Sequence, residues 1–192
     1  NFVNDSLNIN KIPSSLKLYI ENIYEVKKNK LLGLNPGASY GSAKRWYPKE
    51  FADVATDLSS QYDIIIFGGP GEKDIASDIE KYLIENGVNN YQNLAVKTSI
   101  KELISQIGNL DLFITGDSGP MHLAAALKVP TVAIFGPTND KETSQWMNKK
   151  SIIVKKNLEC QPCMKRTCPL SHHNCMKKVL ASDILGAVKG LN

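Results

Sequence analysis

The 192-residue chain has no cysteine before position 160. All four, Cys160, Cys163, Cys168 and Cys175, fall within the single stretch CQPCMKRTCPLSHHNC. A secreted disulfide scaffold spreads its cysteines through a short chain, so that class is excluded. No apolar run approaches the ~20 residues of a membrane-spanning helix. No charged, apolar, small-residue leader opens the chain. Lysines are scattered rather than interleaved with aromatics, and 23 Lys+Arg against 19 Asp+Glu leave a net charge of only +4. That balance permits an anionic small molecule and disfavours nucleic acid. Generic nucleotide and hydrolase motifs are missing too. There is no G-x-x-x-x-G-K-[ST]. FGGPGE is interrupted by Pro70 and Gly71, so it does not spell G-x-G-x-x-G, which disfavours a dinucleotide-dependent dehydrogenase. There is no G-x-S-x-G elbow. GDSGP sets Ser118 between glycines, but His122 follows four residues later on a helix, the wrong arrangement for a triad.

Apolar residues make up 42% of the chain, enough for a buried core. They are grouped in alternation. Residues 16–27 have helical spacing. LLGLNPG (31–37), YDIIIFGG (62–69), NLAV (93–96), LDLFITG (110–116), TVAIFG (131–136) and SIIVKK (151–156) read as strands. Between them lie predicted helices at 48–60 with Pro48 at the first helical position, at 72–87 stopped by Gly87, at 99–109 opened by a Ser99/Glu102 capping box, and after GDSGP; 182–190 closes the chain. Strands apolar on both faces and alternating with helices predict a Rossmann-like parallel sheet of about six strands with helices on both faces. No repeat of solenoid period is present. The polar opening reads as a linker with a short helix over 1–29, as though the chain continued from a preceding half. The nucleotide-binding domain is expected over 30–192, with a cysteine-rich loop at 157–176.

In such sheets ligands sit beyond the carboxyl ends of the strands. Four loops there are informative: NPGASYGSAKRWYP (35–48) with Lys44 and Arg45, FGGPGEKD (67–74) with Glu72, TGDSGPMH (115–122) with Asp117, Ser118 and His122, and FGPTNDKETSQW (135–146). Three pair Gly, Ser or Thr with a helix start, whose free N–H groups and partial positive charge hold phosphate. Each feature also has a plainer explanation. Gly and Ser make turns anywhere. Asp117 suits a helix cap, Glu72 suits a first turn, Lys44 suits a solvated surface, and Trp46 and His122 suit packing. Four such loops on one sheet edge favour a phosphate-bearing ligand. No D-x-D pair is placed for a divalent cation: Asp111 precedes a strand and Asp74 lies in a helix.

NPGASYGSAKRWYP, FGGPGEKD and GDSGPMHLAAALKVPTVAIFGPT together resemble glycosyltransferase family 9, the heptosyltransferases, over roughly residues 31–190. The resemblance implies one Rossmann-like half of a two-domain GT-B enzyme, the half that binds the ADP-heptose donor. It implies Ser39 and Lys44 at the donor diphosphate, Lys44 offsetting charge on departing ADP, Glu72 at the ribose hydroxyls and Thr98 at the adenine. Asp117 would bind heptose hydroxyls, Ser118 and Gly119 would offer amides to the diphosphate, and His122 would reach a phosphate or sugar oxygen. The family's general base lies in the other half, so Asp117 is not read as the base, and the chain alone is expected to lack transferase activity. The lipopolysaccharide core acceptor would be met through the missing half. Location would be cytoplasmic, with at most peripheral contact at the inner face of the inner membrane. No cofactor is implied. A non-catalytic nucleotide-binding module shares the same loops and remains the alternative.

The cysteine loop has three readings. The spacing C-x2-C-x4-C-x6-C, with His172 and His173 inside, suits zinc, although it is not a usual two-knuckle spacing. A disulfide is disfavoured in a reducing cytosol. Unligated thiols shaping a loop complete the set.

Overall fold

A computed structural model of the chain describes residues 29–191 together with Ser6, Lys17 and Leu18. The helix expected over 16–27 lies outside the described residues except for Lys17 and Leu18. The strands are β1 (Lys30–Asn35), β2 (Tyr62–Ile66), β3 (Tyr91–Asn93), β4 (Leu112–Gly116), β5 (Thr131–Ile134) and β6 (Ser151–Val154). They form one six-stranded sheet in the order β3-β2-β1-β4-β5-β6, every pair parallel. This is the doubly wound order, and its topological switch point falls between β1 and β4. The helices are α1 (Pro48–Leu58), α2 (Lys73–Glu85), α3 (Ile100–Gly108), α4 (Gly119–Ala126), α5 (Asp140–Thr143), α6 (Asn174–Lys177) and α7 (Ala181–Gly190).

Strand side chains alternate between two cores, as the pleat requires. Leu32, Leu34, Ile64, Ile66, Leu112 and Ile114 face one side, under Phe51 and Val54 of α1, Ile79 and Leu83 of α2 and Ile184 of α7. Ile65, Phe67 and Phe113 face the other, against Ile107 and Ala124 of α3 and α4. Helices therefore cover both faces, as the apolar strands predict. On α4, Met121, Ala124 and Ala125 are fully buried, and the small alanines let the helix lie close to the sheet. Among the described residues no helix is long and apolar enough to cross a membrane.

Local signals behave as their chemistry dictates. Ser99 Oγ accepts from Glu102 N–H while Glu102 returns a carboxylate to Ser99 N–H at 2.7 Å. The 72–87 helix ends in a Schellman turn: Val88 N–H bonds Leu83 O, Gly87 N–H bonds Ile84 O, and Gly87 takes φ 75°. Most strands stop a residue or two short of their apolar runs. The third differs more: the strand is Tyr91–Asn93, not 93–96. At this sheet edge the backbone ladder to Ile64–Ile66 decides the pairing. Leu94 and Ala95 instead fold inward, Leu94 against the Phe67 core and Ala95 to 4% exposure. Glu72 closes a 3-10 turn, Pro70–Glu72, ahead of α2 rather than opening that helix.

Candidate functional site at the switch point

The register sets Leu34 beside both Ile66 and Ile114, and Asn35 beside Thr115, so the loops after β1, β2 and β4 leave the sheet side by side. Asn35 is 3% exposed and its Nδ2 donates to Thr115 Oγ1 at 3.1 Å and to Ser118 Oγ at 3.0 Å. This amide ties the two strand ends together across the switch point. Ser118 is the N-cap residue of α4, yet its side chain makes no cap bond. Pro120 has no N–H, Met121 N–H bonds back to Ser118 O, and the amides of Ser118 and Gly119 have no partner among the described residues. A Cβ on Gly119 would meet nothing within 4 Å, so this helix start opens on free space.

Asp117 is not a helix cap. It is 4% exposed, and its Oδ2 lies 2.7 Å from Lys44 Nζ. The same oxygen accepts from Thr138 Oγ1 at 2.6 Å and Thr143 Oγ1 at 3.3 Å. Oδ1 has no partner among the described residues. Lys44 Nζ also donates to Asp117 O at 3.2 Å and lies 4.7 Å from the centre of the Tyr40 ring. Its side chain is only 11% exposed, so Lys44 is not the solvated lysine of the plainer reading. An ammonium has three donors, and two are used on Asp117, which leaves one for a ligand.

Glu72 reaches back to Gly69 N–H at 2.7 Å, and its carboxylate lies against Gly37, where no Cβ would fit. Arg45 joins this loop to the lysine loop through Nη2 and Gly71 O at 3.2 Å. Thr98 is half-buried, between two apolar side chains left in solvent, Val96 at 46% and Ile100 at 76%. Val96 has φ 60°, a strained backbone for a β-branched residue, with its N–H held to Gly68 O at 2.8 Å. Ser39 and His122 are exposed and make no hydrogen bond or ion pair with the Lys44–Asp117 pair. Trp46 packs beneath the loop at 2% exposure, edge-on to Phe51, with Nε1 on Val179 O at 2.9 Å.

The cysteine loop lies over the same edge. All four cysteines are free thiols and line one cavity with Ala43, His172 and His173. None of them is joined in a disulfide in this structure. Burial pushes the Cys175 thiol up from its ordinary value, and Cys168, Cys160 and Cys163 add to that. No group of three or more His, Cys, Asp or Glu among the described residues is placed to hold a metal ion. His173 is already committed. Its Nε2 faces Ala43 O at 2.9 Å, and because a carbonyl only accepts, that nitrogen carries the proton. Nδ1 then accepts from Tyr47 Oη at 3.0 Å. Burial raises the Tyr47 phenol, followed by Cys175 and Cys168, so it stays protonated to donate. In this geometry the loop also buttresses the turn that carries Lys44. Thr138, Thr143 and Asn35 have structural parts here that their sequence context did not single out, and His173 has one beyond its place in the cysteine loop.

The chain matches the family model "Glycosyltransferase family 9 (heptosyltransferase)" over residues 9–174. It is 47% identical over 197 residues to lipooligosaccharide heptosyltransferase 2 of Campylobacter jejuni subsp. jejuni serotype O:2, covering 99% of this chain and 61% of that relative. The chain thus spans less than two thirds of that relative's length. Two solved structures share the fold with a TM-score of 0.76. The E. coli ADP-heptose LPS heptosyltransferase II is 23% identical, over 94% of this chain and 55% of that one. The family 9 glycosyltransferase of Veillonella parvula DSM 2008 is 22% identical, over 99% of this chain and 58% of that one.

Proposed function

Since the chain belongs to glycosyltransferase family 9, we propose that it is the donor-binding half of a heptosyltransferase that moves heptose from ADP-heptose to the inner core of lipopolysaccharide. The observation that carries this reading is the open start of α4 beside the Lys44–Asp117 pair, at the switch point of the sheet. The similar lipooligosaccharide heptosyltransferase 2 and ADP-heptose LPS heptosyltransferase II support the donor and acceptor classes.

Glycosyl transfer from a nucleotide sugar leaves negative charge on the departing diphosphate, and the donor half stabilises it. The Ser118 and Gly119 amides face the phosphates with the partial positive charge of the helix. Lys44 uses its remaining N–H on the leaving ADP, and Ser39 lies on the same loop. Asp117 keeps Oδ1 for heptose hydroxyls while Oδ2 holds Lys44, so one carboxylate orients the cation and binds sugar. Glu72, anchored through Gly69, takes the ribose hydroxyls. Adenine lies by Thr98, against Val96 and Ile100. His122, one turn into α4, reaches a phosphate or sugar oxygen. The general base and the lipopolysaccharide acceptor site belong to a preceding half. The enzyme works in the cytoplasm, with peripheral contact at the inner membrane.

Calorimetric titration with ADP and ADP-heptose tests this. The sugar nucleotide is expected to bind more tightly, and Asp117→Asn to erase most of that difference while ADP binding persists. Equal affinity for both ligands in the unaltered chain would instead mark a nucleotide-binding module indifferent to sugar.

A further inference from the structure

The charges around Lys44 do not match a diphosphate. Lys44 and Asp117 form a pair of zero net charge at 2.7 Å, whereas a pyrophosphate linkage carries more than one negative charge. Arg45 adds a positive charge on the neighbouring loop, where its Nη2 donates to Gly71 O and its Nε is buried without a partner among the described residues. A further cation stands on the same aromatic ring as Lys44. Arg166 Cζ lies 5.2 Å from the Tyr40 centroid, against 4.7 Å for Lys44 Nζ. Arg166 is exposed and has no ion pair with any described acid. Two cations near one ring repel each other, and of the two only Lys44 is paired with a carboxylate among the described residues. Attraction to the ring face holds Arg166 in place but leaves its positive charge uncompensated.

The position of Arg166 is fixed by the turn that carries Lys44. Ala43 N–H donates to Arg166 O at 3.0 Å, and Tyr40 Oη donates to Met164 O at 2.8 Å. Gly41 lies so close to the Arg166 carbonyl that a Cβ would collide with it. The cysteine loop is fastened to the β5 end through Met164 N–H on Pro137 O at 2.8 Å and Gln161 Nε2 on Gly136 O at 2.6 Å. These are backbone or neighbouring bonds, so the guanidinium itself is spare. A planar guanidinium both stacks on an aromatic ring and grips phosphate with two parallel N–H groups.

We propose that Arg166 is a second anion-binding residue of this site, taking phosphate oxygens of the donor diphosphate together with Lys44. The proposal rests on reading the α4 start as a diphosphate site. The test is calorimetric titration of the chain with ADP and with inorganic pyrophosphate, using the unaltered protein, Arg166→Gln, Arg166→Lys and Lys44→Met. Arg166→Gln is expected to weaken both ligands by about tenfold or more. Arg166→Lys should recover part of that loss, and the melting temperature should not move, because the carbonyl makes the structural bond. If Arg166→Gln binds both ligands like the unaltered protein while Lys44→Met has lost them, Arg166 is a bystander and the site reading stands. If the unaltered chain binds neither ligand, both readings fall. A loss in Arg166→Gln that comes with a lower melting temperature and is not restored by lysine makes Arg166 structural and overturns the proposal.

Discussion

Two helix starts in this molecule both have serine at the N-cap and differ in everything else. At α3, Ser99 and Glu102 satisfy each other's backbone N–H groups, and that start is closed. At α4, the Ser118 hydroxyl accepts from Asn35 at the strand end, and nothing among the described residues bonds the amides. A third start, at α7, is closed like the first: Asp183 accepts Leu180 N–H at 2.9 Å and pairs with Lys156 at 2.8 Å. A closed start adds stability and has nothing left for a ligand. An open one forgoes about 1 kcal/mol of capping and keeps its dipole and amides for an anion. The same residue type therefore serves folding in one place and binding in another, according to where its oxygen points.

The largest expected break in this contrast comes from Lys44→Met. It strands Asp117, 4% exposed, without its cation. Unpairing a buried charge costs about 3 kcal/mol, measurable by urea denaturation. Adding Asp117→Asn should restore most of the stability, whereas ADP affinity should stay lost in the double variant. Next is Ser99→Ala, expected to cost about 1 kcal/mol with ADP affinity changed far less than by any substitution at α4. The closed starts also depend on pH in a defined direction. Bonds from the Ser99 backbone and hydroxyl lower Glu102 from its ordinary value. For Asp183 burial pulls upward, but Leu180 N–H and Lys156 outweigh it and the net shift is downward. A lowered carboxylate stabilises the fold above its unfolded pKa and loses that contribution as pH falls through the folded one. The melting-temperature gap between the unaltered chain and Asp183→Asn should therefore be full at pH 7 and shrink below the ordinary carboxylate range. The smallest effect is kinetic: at pH 8, Cys175 should be the last of the four thiols alkylated, since burial holds it protonated.

Much of the fold was legible because parallel strands buried on both faces have to be continuously apolar, and because Ser99, Glu102 and Gly87 act through bonds only a few residues long. The polar edge strand Tyr91–Asn93 was not legible, since its pairing is set by the backbone of β2 and leaves no hydropathy pattern. The site loops could be found by their glycines and serines. The Lys44–Asp117 pair could not, because it joins positions 73 residues apart and depends on the β1–β4 register. The cysteine loop was legible only in part. Its spacing suggests a metal, but its contacts to the Lys44 turn leave no mark in the sequence, because they run through carbonyls of Ala43 and Arg166 and the ring of His173.

The central claim, that the α4 start is kept open for a diphosphate, is tested most directly by Gly119→Ala. Among the described residues the new methyl meets no atom within 4 Å beyond its own turn of helix, so folding should be undisturbed. If phosphate packs on that start, calorimetry should show ADP binding weakened by about tenfold or more at an unchanged melting temperature. Unaltered ADP affinity in Gly119→Ala would contradict the account.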